Sequence, residues 1–217
     1  MADFTLIIGN KNYSSWSLRA WLVMKHTGAA FDEVVIPLDL PDTGKAIGCH
    51  SAAGRVPVLR HGERTIWDSL AIAEYLAEQF PDLGLWPADI EARAMARAIC
   101  SEMHAGFMAL REHLPMDLRA RHMAKEMPPD VIKDITRINA IWTNCRRLYS
   151  TGGSFLFGNF SIADAFYAPV VGRFRAYGIE SDGEAGAYVD ALWQWPDMQT
   201  WLDGANDESW VIDNNKI

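Results

Sequence analysis

The chain has 217 residues, of which 49% are hydrophobic and 22% are charged, as in a globular protein of one or two domains. A net charge of -8 and a pI near 5.2 argue against nucleic acid or an anionic membrane surface as partner. No stretch reaches the length of a membrane span, and the apolar run 4–8 is too short for a signal peptide, so we expect a cytoplasmic protein.

The first eighty residues alternate strand and helix patterns. Strands are predicted over 4–9, 31–38, 56–60 and 64–67, with one helix after Ser14 and Ser15 and another after Asp68 and Ser69. The stretch 41–51 is predicted to be a loop, with room for one helical turn. The order β-α-β-β-β-α defines an N-terminal domain over 1–81, in which a right-handed crossover makes the first two strands parallel.

The remainder of the chain has helical patterns only. Pro and Gly in 82–87 indicate a linker, and 88–217 is predicted to be an all-helical domain that begins with a helix over 88–110. Ser161 and Asp164 form a capping-box pattern before an apolar run. One buried stripe is predicted from apolar residues at helical spacing, namely Val131, Ile135, Ile138, Trp142, Cys145 and Tyr149.

The three cysteines do not indicate a disulfide framework or a metal site. Cys49, Cys100 and Cys145 are odd in number and widely spaced. Cys100 and Cys145 fall within apolar helical patterns, and we therefore expect both to be buried packing residues.

Two short motifs carry the functional information. In Val56-Pro57 the proline opens a strand, where a cis bond could turn free backbone toward a ligand. In Asp68-Ser69 the serine is a good helix N-cap, and the free N–H groups of a helix start bind anions. Together they predict a site for a small peptide that carries a carboxylate.

These motifs, with Phe155-Leu156-Phe157-Gly158 ahead of the capping box, resemble the cytosolic glutathione transferase family over nearly the whole chain. The resemblance implies a thioredoxin-like α/β domain with Pro57 as its cis-proline, followed by an all-helical domain. It also implies glutathione as co-substrate and a homodimer as the assembly.

The resemblance further implies how glutathione is held. The backbone of Val56 would pair with the cysteinyl portion, and Asp68 would accept a hydrogen bond from the γ-glutamyl amine. The hydroxyl and N–H of Ser69 would hold the γ-glutamyl carboxylate. Arg55 and Lys45 would meet the glycyl carboxylate. A plain helix cap also explains Ser69, and the two roles use the same N–H groups.

The loop 10–17 is where the family places the group that activates the thiol. A free thiol has a pKa near ~8.5, and a hydroxyl aimed at sulfur beside a helix N-terminus favours the thiolate. The loop resembles the serine and cysteine classes, especially zeta, and alternative alignments select Ser14 or Ser15, with Tyr13 as a lesser candidate. Either serine alone is equally well explained as a helix cap. The loop lacks a cysteine, which disfavours glutaredoxin-like exchange.

The second substrate, a small electrophile, is expected between the domains. Zeta-like enzymes use an arginine in the region of Arg173 and Arg175 for a substrate carboxylate, although arginines at a helix end are also explained by the helix dipole. The candidate residues for this pocket are Trp16, Met103, His104, Phe107, Arg111 and Arg175.

The sequence therefore predicts an enzyme that adds glutathione thiolate to a small electrophile without a metal. Zeta-like cis–trans isomerisation of the maleylacetoacetate type is an alternative within the same site, and peroxidase activity stays open. A non-catalytic glutathione- or ligand-binding protein on the same fold is the second hypothesis. A protein-interaction module is the third, and it predicts no glutathione binding.

Overall fold

The computed structural model describes residues 3–122 and 126–212, so the outer ends of the predicted ranges 1–81 and 88–217 lie outside the described residues. The strands of the N-terminal sheet are β1 (Phe4–Gly9), β2 (Phe31–Ile36), β3 (Val58–His61) and β4 (Arg64–Ile66). Their order in the sheet is β2-β1-β3-β4. β1 pairs in parallel with β2, as predicted, and antiparallel with β3.

Helices cover both faces of this sheet. Leu6 and Leu59 face the main core with α1 (Ser15–His26) and α3 (Ser69–Gln79). Ile7 and Val58 face the other side, where Ile47 of a short helix, α2 (Thr43–Gly48), completes a smaller cluster.

The helix α2 corrects the predicted element order. The stretch 41–51 was expected to be a loop with room for one helical turn and was left out of the predicted order, but six of its residues form a helix and the observed order is β-α-β-α-β-β-α. Six residues with only Ile47 buried carry too little periodicity to be recognised as a helix from sequence. The thioredoxin-like architecture itself is confirmed.

The C-terminal part is helical, as predicted. The expected helix over 88–110 is interrupted, because Gly106 and Phe107 leave the helical conformation. A Cβ at Gly106 would lie 2.7 Å from the carbonyl oxygen of Glu102, and Phe107 adopts a left-handed φ of 57°. The helices are α4 (Ile90–Ala105), α5 (Met108–His113), α6 (Pro129–Tyr149), α7 (Ile162–Tyr177), α8 (Gly183–Gln194) and α9 (Pro196–Asp207).

Helix α7 lies at the centre of this domain and begins at the predicted capping box. Asp164 Oδ2 accepts hydrogen bonds from the backbone N–H (2.8 Å) and the hydroxyl (2.9 Å) of Ser161. Its Oδ1 accepts from the Leu156 N–H at 3.1 Å, which ties the preceding loop to the helix. Because these donors and the carboxylate are buried, the cluster fixes where α7 starts.

The predicted stripe on α6 faces this core. Val131, Ile138, Trp142 and Cys145 are buried on α6, and the Trp142 ring packs against aromatic rings of α7 and α8. Cys100 is also buried, as expected, whereas Cys49 is exposed. None of the described helices combines the length and apolar character that crossing a membrane requires.

The two domains share one apolar core. Helix α1 packs on α3 beneath the sheet and also on α7 of the helical domain. The N-terminal ends of α1 and α3 are thereby brought opposite α4, and this arrangement positions the site described next.

Candidate functional site

A cleft of about 520 Å³ lies between the loops of the sheet domain and helix α4. This volume is in the range of small-molecule sites. Residues from four separate stretches of sequence meet here, and most of them were predicted site residues. The lining consists of Trp16, Ala53, Arg55, Val56, Pro57, Trp67, Asp68 and His104.

One wall is the backbone ahead of β3. The Val56-Pro57 peptide bond is cis, as predicted. Val56 lies two residues before the first residue of β3, and its N–H and C=O make no hydrogen bond to any other part of the described chain. These backbone groups are therefore free to pair with a ligand that lies along them.

The start of α3 forms a polar corner of the cleft. Asp68 is the N-cap of this helix, and its Oδ1 accepts from the Leu70 N–H at 2.9 Å. The prediction that Ser69 is the cap was wrong, because Ser69 is the first helical residue. Its hydroxyl is buried and finds no partner within residues 3–122 and 126–212. A buried, unpaired hydroxyl at a helix N-terminus suits a ligand carboxylate.

His104 reaches across the cleft from α4 to the same corner. Its Nε2 lies 3.2 Å from Asp68 Oδ2, and its ring meets the edge of Trp16 with centroids 5.0 Å apart. Burial lowers the pKa of His104; Asp68 opposes this shift, while Arg19 and Arg111 add to it. At neutral pH a neutral imidazole is therefore expected, with its Nε2–H donating to Asp68.

Two guanidinium groups lie against the Trp16 wall. Arg19 is 4.4 Å and Arg111 5.1 Å from the centroid of the indole ring. Arg19 is fully buried, and none of its side-chain nitrogens is hydrogen-bonded in the described part of the chain.

The buried arginines give the cleft a positive surrounding. Burial, together with the charges of Arg111 and Arg173, lowers the pKa of Arg19 to about 9. Arg19 stays protonated at neutral pH, so its charge acts on the cleft through Trp16. Sequence analysis used Arg19 only to align the loop. A charged residue on the buried face of an amphipathic helix was the signal that could have revealed it.

The two candidate serines lie at the N-terminus of α1, beside the cleft but outside its lining. Ser14 is the N-cap: it accepts from the Ser17 N–H at 3.4 Å, and its hydroxyl donates to Ser17 Oγ at 2.7 Å. The Ser15 hydroxyl makes no hydrogen bond with any described residue. Ser15 therefore has a hydroxyl proton available for a ligand, whereas that of Ser14 is directed inward.

The structure places several other predicted site residues away from the cleft lining. Met103 is fully buried in the core, and Arg111 donates to the carbonyl oxygens of Met103 and Gly106. Arg175 pairs with Asp190. The predicted residues outside the lining, besides the two serines and Ser69, are Lys45, Met103, Phe107, Arg111 and Arg175.

Comparison with known proteins decides the family. Residues 13–79 match the glutathione S-transferase N-terminal domain, and residues 90–204 match the glutathione S-transferase C-terminal domain. The chain belongs to the glutathione S-transferase family. Both matches fall on the two parts of the fold that build the cleft.

Individual relatives agree with this assignment. A glutathione transferase homolog from Burkholderia gl BGR1, solved with bound glutathione, is 26% identical with a TM-score of 0.69, covering 94% of this chain and 98% of that one. Glutathione S-transferase L2, chloroplastic, of Arabidopsis thaliana is 26% identical across 72% of this chain, which spans about half (49%) of that relative. Maleylacetoacetate isomerase of Rattus norvegicus is 28% identical over 76% of both chains.

Proposed function

We propose that this family member is a glutathione transferase that lowers the pKa of the glutathione thiol for attack on a small electrophile. One observation carries the proposal: the unpaired Val56 backbone and the Asp68 carboxylate line one cleft, and the buried, unpartnered Ser69 hydroxyl lies next to Asp68 in the chain, at the start of α3. Together they offer partners for the backbone, the amine and the carboxylate of a γ-glutamyl peptide. Because Asp68 and not Ser69 caps α3, a capping role does not account for the buried Ser69 hydroxyl.

The protein's part in the chemistry is to stabilise a thiolate. Lowering a thiol pKa by about two units takes roughly 2.7 kcal/mol. A hydroxyl from Ser15 or Ser14 and the N-terminus of α1 supply part of this, since each favours an anion. The buried charge of Arg19 behind Trp16 acts in the same direction. With the thiolate formed, the remaining contribution is positioning of the electrophile.

Residues in and around the cleft are assigned to the glycyl end of glutathione and to the electrophile. Arg55 lies at the cleft, and Lys45 lies exposed on α2; we assign both to the glycyl carboxylate. Trp16 and His104 face the space left for the electrophile, joined by Trp67, which is 52% exposed and was not predicted. Met103, Phe107 and Arg111 support that wall from behind.

Isomerisation is the second candidate function, and the similarity to rat maleylacetoacetate isomerase favours it. A carboxylate-bearing substrate needs a cation. Because Arg175 is paired with Asp190, Arg111 behind Trp16 is the better-placed group in this chain. An isomerisation assay with a maleylacetone-type substrate separates the two reactions.

We also propose a cytoplasmic homodimer in which 1–81 binds glutathione, 82–87 is a linker and 88–217 supplies the electrophile wall. Family resemblance is the support for the dimer, and the charge and composition are the support for the location. Size-exclusion chromatography with light scattering tests the dimer directly.

The proposed function is tested by calorimetric titration with glutathione while thiolate absorbance is followed in the ultraviolet. We expect binding and a thiolate signal at neutral pH, because the site offers hydrogen-bond partners to glutathione and stabilises its thiolate. Binding without a thiolate signal would favour a carrier of glutathione. No binding at millimolar glutathione would contradict the proposal and point to an interaction module.

Asp68→Ala is expected to weaken glutathione binding about tenfold or more, since a hydrogen bond between charged groups is worth ~1.5–3 kcal/mol. Calorimetry measures the effect. Asp89→Ala is the matched control, because Asp89 caps α4 through the N–H groups of Glu91 and Ala92 without lining the cleft. If the Asp68 variant and the control bind glutathione with equal affinity, Asp68 does not contribute to glutathione binding.

A further inference from the structure

The loop that precedes α1 is held by residues from the far end of the chain. The backbone N–H groups of Lys11 and Asn12 donate to Glu208, at 2.6 Å to Oε1 and 3.1 Å to Oε2. The indole N–H of Trp201 in α9 donates to the Lys11 carbonyl oxygen at 2.9 Å. One carboxylate thus accepts from two successive N–H groups that the loop itself leaves unpaired.

The same loop is held from the other side by the segment 117–119. The amide of the fully buried Asn12 donates to Asp117 Oδ1 at 2.8 Å and accepts from the Arg119 N–H at 2.9 Å. The Leu118 N–H donates to the Asn12 carbonyl oxygen at 3.3 Å.

Arg119 connects these two supports. Its guanidinium donates to the carbonyl oxygens of Glu208 and Trp210 and, at 3.3 Å, to the Tyr13 hydroxyl. We call the segment 208–210 the C-terminal clamp. The clamp therefore binds residues 11 and 12 directly and is linked to Tyr13 through Arg119, so that it holds the three residues immediately before the serines at the start of α1.

We propose that Glu208 is a positioning residue for thiolate formation: through the C-terminal clamp it fixes the loop 11–13, and with it the serine hydroxyl that meets the glutathione sulfur. The inference rests on the proposed function. It adds that the serine hydroxyl at the start of α1 depends for its position on the C-terminal clamp. Neither the family assignment nor the cleft lining points to Glu208.

The physical reason is that the activating hydrogen bond tolerates only a small displacement of its donor. A displacement of about 1 Å at a reacting group can cost up to ~100-fold in rate. Without the carboxylate, the N–H groups of Lys11 and Asn12 would turn to water, and the loop would gain conformations. Glutathione itself is held by the β3 and α3 corner, which the clamp does not touch. Loss of Glu208 should therefore act on thiolate formation and not on binding.

The test compares Glu208→Ala with the wild type in three measurements: the kinetic constants, the pH profile of thiolate absorbance with glutathione bound, and thermal unfolding. We expect kcat to fall about tenfold or more, the pKa of bound glutathione to rise, and the KM for glutathione to change by less than about threefold. Glu208→Gln keeps one acceptor oxygen and should recover part of kcat. Asp207→Ala, the neighbouring exposed acid, is the matched control and should behave as wild type.

The outcomes separate this inference from the function on which it rests. An unchanged kcat and thiol pKa in folded Glu208→Ala would overturn the positioning role alone. A wild type that binds glutathione without forming thiolate would overturn both. A loss confined to thermal stability, with normal turnover at low temperature, would reduce the clamp to a structural brace and overturn the inference. If Glu208→Ala does not fold, Glu208→Gln against Asp207→Asn provides the same comparison.

Discussion

Replacing Ser14 and Ser15 together by alanine is expected to lower turnover about 100-fold or more while leaving glutathione affinity within about threefold. Removing one donor that is aimed at a developing or resident anion costs roughly that much in other enzymes. Peptide recognition is assigned to the corner formed by Val56, Asp68 and Ser69, so binding should survive. Steady-state kinetics and calorimetry on the same preparation measure the two effects.

The single variants then identify the donor. The Ser15 hydroxyl is uncommitted, whereas Ser14 caps α1 and donates to Ser17. Ser15→Ala should carry most of the loss in kcat. Ser14→Ala should cost about 1 kcal/mol of stability through the lost cap. Ser154→Ala, in an exposed loop, is the control. Full turnover of the double variant would show that another group activates the thiol.

Asp164→Ala is expected to lower the free energy of unfolding by about 3–5 kcal/mol. The carboxylate accepts three hydrogen bonds from buried groups, and each donor left without a partner costs ~1–3 kcal/mol. The loss would also release the loop at Leu156 from the start of α7. Urea denaturation followed by circular dichroism measures the change.

Asp182→Ala is the control for that measurement. Asp182 precedes α8, is exposed and makes no side-chain capping bond, so its removal should change stability by less than about 0.5 kcal/mol. A loss at Asp164 no larger than at Asp182 would mean that the buried capping box contributes nothing beyond an ordinary helix start.

The electrostatics of the cleft show how an acidic chain can still offer a positive site to an anion. The chain carries a net charge of -8, yet the wall behind Trp16 contains Arg19 and Arg111. Local, desolvated charges outweigh distant, screened ones at short range. An acidic protein can therefore hold an anion, provided that the cations are buried close to it.

Much of the fold could be predicted because its signals are local. The capping box at Ser161, the cis-proline motif at Pro57 and the helical stripe that includes Trp142 depend on residues a few positions apart. Helix α2 and the break at Gly106 were not predicted as such, because their local signals are weak. A six-residue helix has almost no period, and at Gly106 the sequence shows only that no Cβ stands in the way of the backbone conformation that ends α4.

The sequence by itself determined the family and the order of the sheet part and the helical part, and it predicted the corner built from Val56, Pro57, Asp68 and Ser69, because those residues act through backbone geometry within one or two short segments. Only the tertiary structure brought His104 to Asp68 and Glu208 to Lys11. It also exchanged the capping roles of Asp68 and Ser69 and buried Arg19 without a partner. These features depend on contacts between residues far apart in the chain. Such contacts leave no periodic pattern in the sequence, and the packing of α1 on α7 decides which residues meet.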